Sequence, residues 1–182
     1  MADLPIQQCA MRRILILLLA IMPTIASAQG FQIEDGQVTW RKIYTADLTI
    51  SDIHKAMVIS DDYYDITVLS DCVVAKTKPV KYVPEDYGFK WGNSHTTLLN
   101  GALGPITLRI DVKEGRYRVT AYNMIITDIT PTGLLPAGTQ TRIENIGLDD
   151  DSPNKTMTTQ LAPIFDHLLN HLTSFQKVDD DW

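Results

Sequence analysis

Cysteine is scarce in this chain: there are two in 182 residues, Cys9 and Cys72. Long apolar runs are scarcer still, the longest being the nine residues 14–22 (ILILLLAIM). Nine is too few to cross a hydrocarbon layer, which takes about 20 residues for roughly 30 Å. Cations are in the minority, with 16 Lys and Arg against 22 Asp and Glu and a formal net charge of −6. An acidic chain repels phosphate backbones, so no nucleic-acid partner is expected, and no general attraction to anionic membrane surfaces either. Glycine-rich phosphate loops ahead of a helix are missing, as is a Gly-x-Ser-x-Gly nucleophile elbow. Internal repeats and low-complexity tracts are missing too.

What is present begins with a leader. Arg12 and Arg13 form a basic head, the apolar run follows, Pro23 breaks it, and Ala26-Ser27-Ala28 supplies small residues for a signal peptidase. The expectation is a signal peptide over residues 1–28, cleaved after Ala28, and a periplasmic or secreted product without stable membrane insertion. No cysteine follows the apolar run at lipobox spacing. Residues 1–10 contain Asp3 and no cation, so Met11 is the expected initiator in place of Met1.

Residues 29–182 then form one domain of 154 residues, a usual size, able to bury a core without staples. Taking away the leader's Arg12, Arg13 and Asp3 (net +1) leaves that domain at −7. Its only cysteine is Cys72, so no intramolecular disulfide can form. Small exported scaffolds usually carry disulfides; their absence suits a bacterial periplasmic domain.

Residues 31–36 read as an irregular start and 37–45 (QVTWRKIYT) as an alternating strand. Residues 51–59 read as a helix with Ser51 as N-cap and Asp52 in the first turn. Residues 63–75 (YYDITVLSDCVVA) read as one strand. Pro79 and Pro84 make 76–84 an edge strand or loop, while 85–105 shows no clear period. Residues 106–126 read as a hairpin about Glu114-Gly115, with Gly supplying a positive φ. If Lys113 opposes Arg116, then Val112 faces Tyr117, Ile110 faces Val119 and Leu108 faces Ala121. Asp111 then meets Arg118 and Arg109 meets Thr120 on the other face. Residues 131–138 and 149–153 read as loops and 141–146 as a short strand. An amphipathic helix runs from about 158 to 177, starting at Ala162 if Pro163 sits in its first turn.

Five groups are weighed as sites. His167 and His171 are spaced i, i+4, as metal ligands can be, but no Glu follows His167, so a solvated helix flank is favoured. Asp149, Asp150 and Asp151 lack the ligand order, Gly and distal Glu of an EF-hand. Like Asp179, Asp180 and Asp181, they read as solvated. Cys72 with His54 or His95 has the residue types of a nucleophile and base but no supporting spacing, and Cys72 reads as a small core residue. Arg109, Arg116 and Arg118, with Lys113 beside them, form a basic patch on the outer hairpin face. It suits a carboxylate or phosphate, with cross-strand pairing as the plainer use. No catalytic residue, cofactor or metal ligand is therefore assigned, and binding residues stay unknown.

The hairpin ITLRIDVKEGRYRVTAY, with its turn Lys113-Glu114-Gly115-Arg116-Tyr117-Arg118, and the end from Phe165 to Trp182 resemble the bacterial family called domain of unknown function 4468. The resemblance implies a TATA-binding-protein-like fold: a curved antiparallel sheet with helices on one face. It implies no DNA binding, since fold is not function, and brings no activity or catalytic residue.

Independently of that resemblance, strands, an early helix, more strands and a late amphipathic helix imply a two-layer α+β sandwich, mainly antiparallel. The expected function is a periplasmic binding or protein-interaction module that takes an envelope protein, peptide or glycan on a sheet face or edge. The alternative is an envelope-associated hydrolase with a dispersed active site.

Overall fold

The computed structural model describes residues 30–88, 101–128 and 136–178. The chain is α+β, with mostly antiparallel strands. Strands β1 (Gly30–Glu34) and β2 (Gln37–Thr45) lead into helix α1 (Ile50–Ile59), then β3 (Tyr63–Val68), β4 (Cys72–Thr77) and β5 (Val80–Lys81). A single 3₁₀ turn at Pro84–Tyr87 precedes β6 (Gly101–Leu103), β7 (Thr107–Lys113), β8 (Arg116–Tyr122) and β9 (Ile125–Asp128). Strand β10 (Gln140–Arg142), the short helix α2 (Ile143–Gly147), and the pair β11 (Leu148–Asp149) and β12 (Ser152–Pro153) come next. A π-helical turn, Met157–Leu161, runs into helix α3 (Ala162–Thr173). None of the described helices is long and apolar enough to cross a membrane.

The large sheet has six strands in the order β1-β2-β8-β7-β4-β3; a second has the order β10-β9-β6-β5. Alternation decides which side of the large sheet is buried. Trp40, Leu108, Ile110, Val119, Ala121 and Val73 point to one face and are fully buried. Ile53 and Met57 of α1 and Ile164, Phe165, Leu168 and Leu169 of α3 join them in one cluster. Both long helices thus lie on one side, in two layers. The small sheet adds Leu103 and Ile126 to the same core.

The central hairpin has the expected register, with Lys113 opposite Arg116, Val112 opposite Tyr117 and Asp111 opposite Arg118. Gly115 supplies the positive φ, +68°. Elsewhere the expectations need correction. Residues 30–34 are a strand, because Asp35 and Gly36 both take positive φ (51° and 70°) and reverse the chain tightly. Residues 63–75 are two strands, reversed at Ser70-Asp71, where Leu69 N–H meets the Cys72 carbonyl at 2.8 Å. Helix α1 is capped by Thr49, not Ser51: the Thr49 hydroxyl accepts from the Asp52 N–H and the Asp52 carboxylate accepts from the Thr49 N–H. The expected strand 141–146 ends at Arg142, and Ile143–Gly147 is helical. Gly147 has no side chain, and a Cβ there would stand 2.9 Å from the Met157 sulfur. Residues 149–153 are a tight hairpin, since Asp150 and Asp151 both accept left-handed φ.

Helix α3 stops at Thr173 rather than 177, and three tyrosines from the sheet hold its end. The Tyr63 hydroxyl donates to the Leu172 carbonyl, and Tyr117 donates to the Thr173 carbonyl at 2.8 Å. Tyr117 also accepts from the Phe175 N–H at 3.1 Å, while Tyr44 bonds the Thr173 hydroxyl at 2.7 Å. Helix ends leave carbonyls without partners; here phenols supply them. At mid-helix the Trp40 indole donates to Asp166 at 2.7 Å.

Candidate functional site

Helices cover one face of the large sheet, and the other face displays the alternate residues of its strands. On the four central strands these include Arg41, Lys76, Arg109, Lys113, Arg116 and Arg118 but one carboxylate, Asp111. Further acids sit at the rim. Glu34 pairs with Arg41 at 3.1 Å, Asp65 with Lys76 at 2.9 Å and Asp71 with Arg109 at 3.7 Å. A chain of net charge −6 therefore gathers cations on one face.

Asp111 organises the middle of that face. Arg109 donates to one of its oxygens at 2.8 Å and Arg118 to the other at 2.8 Å. Its side chain is only 15% exposed. That burial pushes the carboxyl pKa up, but the two arginine bonds and charges outweigh it and hold the pKa below the usual range. The bond to Asp111 in turn raises the Arg109 pKa. Cys72 stands opposite Asp111 in the ladder and is fully buried. Burial raises its thiol pKa, only partly offset by Arg109. That is the reverse of an activated thiol.

Two hollows mark the ends of the face. At the hairpin end a hollow of about 140 Å³ is lined by Ile43, Asp111, Lys113, Arg116 and Arg118. Lys113 and Arg116 are directly opposed, both exposed, and neither makes an ion pair with a described residue. Like charges facing each other across strands oppose pairing, so an anion placed between them relieves the repulsion. At the other end of β7 a cleft of about 570 Å³ is lined by Tyr64, Lys76, Thr107, Asn123, Gln140 and Arg142. It lies where the open face meets the small sheet. There Arg142 donates to Asn123 at 2.7 Å, and the Lys76 ammonium sits 5.8 Å from the Tyr64 ring centroid.

The expected basic patch is thus one surface, with Arg109 and Arg118 committed to Asp111 and Arg116 and Lys113 left over. The other candidates stay apart. His167 and His171 are both exposed on α3, and His167 meets the Tyr87 ring edge-on at 5.3 Å. Asp149, Asp150 and Asp151 are exposed at a tight turn. His54 is on α1, which packs on the covered face, whereas Cys72 belongs to the open face, so the sheet separates them. His95 and Asp179, Asp180 and Asp181 lie outside the described residues. Among the described residues, no three His, Cys, Asp or Glu side chains gather as metal ligands. The cleft leaves no pattern in the sequence. Its lining comes from β3, β4, β7, β10 and the β8–β9 turn, and no local pattern joins them. The one signal was Asn123, a residue type that tolerates the positive φ (51°) found there.

Comparison of the chain with protein-family models, with curated proteins and with solved structures finds no match.

Proposed function

We propose that this chain is an exported binding module of the bacterial envelope, and that its open sheet face takes an anionic protein, peptide or glycan. The carrying observation is that Lys113 and Arg116, opposed at the end of a cation-rich face on an acidic chain, make no ion pair with any described residue. An ammonium and a guanidinium side by side suit a carboxylate or phosphate. The signal peptide with cleavage after Ala28, the periplasmic or secreted location, and the resemblance to domain of unknown function 4468 with its TATA-binding-protein-like fold belong to the same proposal. An antiparallel sheet with helices on one side supports that resemblance.

A hydrolase reading has less support. It needs Asp, Glu or His side chains converging in a pocket. No such residue is found in the described lining of the cleft. The hollow holding Asp47 and Glu114 exposes both to solvent and has no histidine in its described lining.

The test is capture from native envelope extract with the tagged secreted chain and with its Lys113→Glu/Arg116→Glu variant. A near-stoichiometric partner held by the first, lost by the second and released by salt is expected. A partner held equally by both sinks the assignment to this face, and finding the chain in the cytoplasmic fraction sinks the export.

A further inference from the structure

We propose that the cleft between the open face and the small sheet is a saccharide site, and that the ligand is an acidic oligosaccharide bearing carboxylate groups. This rests on the reading of the open face as the binding surface and names its ligand. At about 570 Å³ the cleft falls among small-ligand sites, roughly 300–1,000 Å³.

Its lining is rich in unspent hydrogen-bonding groups. Tyr64, Thr107 and Gln140 make no side-chain hydrogen bond to a described residue, and Asn123 uses its carbonyl oxygen on Arg142 and leaves its NH₂ free among them. Amides and hydroxyls that donate and accept in turn match a ligand whose surface is mostly hydroxyl. Tyr64 adds an amphipathic ring. A protein partner would call for desolvated apolar anchors at the centre of the patch. Among the described residues, the exposed large apolar side chains, Val58, Ile59, Val68 and Leu69, line neither the cleft nor the hairpin hollow.

The second hollow sets the charge and the length. Strand β7 runs from Thr107 in the cleft to Lys113 in the hairpin hollow, a span of about 20 Å at roughly 3.4 Å per residue. A single sugar cannot reach from one to the other, whereas a chain of several can. Carboxylates are the favoured charge because the face already clamps one: Arg118 holds Asp111 through Nε and Nη2 at 3.2 and 2.8 Å. Arg116 offers a ligand carboxylate the same guanidinium donors, and Lys113 adds an ammonium beside it.

The experiment is titration calorimetry of the secreted chain with an oligogalacturonate hexamer. The comparison probes are a neutral cello-oligosaccharide, an oligoglutamate and a single-stranded oligonucleotide of similar length. Expected is binding of the uronate about tenfold or more tighter than of each other probe, equal to the loss of one strong contact. Gln140→Ala and Tyr64→Ala should each weaken it severalfold, with Gln140→Ala leaving the unfolding temperature unchanged. Lys113→Ala/Arg116→Ala should abolish the preference for the acidic over the neutral sugar. Tighter oligoglutamate or oligonucleotide binding overturns the saccharide assignment while the anionic face stands. So does uronate binding that ignores Gln140 and Tyr64. If no anionic probe binds, this inference falls, and it falls together with the anionic-face reading only if envelope capture fails as well.

Discussion

Single side chains at the end of α3 set the most specific stability expectations. Tyr117→Phe removes a hydroxyl that serves the Thr173 carbonyl and the Phe175 N–H. Stranding buried backbone groups costs about 1–3 kcal/mol, so denaturant titration should show a loss of that order. The same phenols set an alkaline limit. Burial pushes the Tyr117 pKa up to about 12 and raises those of Tyr63 and Tyr44 as well. A group whose folded pKa is raised contributes in full below its unfolded value and loses that contribution as pH climbs through the folded one. Stability should therefore fall from about pH 10 upward, and circular dichroism should show a shallower fall in Tyr117→Phe. Cys72, buried and with a raised pKa, should react with a thiol reagent only as fast as the chain opens. Rapid labelling of the native protein would contradict its burial.

Elements depend on how residues meet. Gly147 is where α2 crosses the approach to α3, and Gly147→Ala would press a methyl to 2.9 Å from the Met157 sulfur and 3.1 Å from Leu161. Overpacking of that kind costs about 1–3 kcal/mol, readable as a lowered denaturation midpoint. In the central hairpin, Asp111 holds β7 to β8 through Arg118. Its carboxyl pKa is lowered, so its contribution is present above the unfolded value near 3.9 and vanishes as pH falls through the folded value. Asp111→Asn should flatten the acid limb of the stability profile below about pH 4; an unchanged limb would show that the clamp carries no linkage. This hairpin was legible in advance because turn, alternation and charge pairing are local and agree on one register. The Thr49 cap is equally local, lying three residues before Asp52, but Ser51 two residues on carries the same hydroxyl chemistry and masks it. The Ser70-Asp71 reversal was hidden within a continuous β-branched and aromatic stretch.

Across the whole molecule charge is segregated, with cations on the open face of an acidic chain. Lys113→Glu would turn a repulsive cross-strand pair with Arg116 into an attractive one. It should raise stability by up to about 0.5 kcal/mol while weakening capture of an anionic partner. A variant that gains stability and keeps its partner would mean that the opposed cations serve no binding role.

The α+β class, the antiparallel central hairpin with its register, and the helical face that α3 turns to the core are all written in the order of residues. Each follows from periodicity and turn chemistry within a short window. The same order marks Arg109, Arg116, Arg118 and Lys113 as cations of one hairpin face. Folding in three dimensions adds that Arg109 and Arg118 are spent on Asp111, that Tyr44, Tyr63 and Tyr117 converge on the end of α3, and that a cleft opens where the two sheets meet. Those arrangements join residues far apart in the chain, brought together by burial of one shared core, and local pattern carries no record of them.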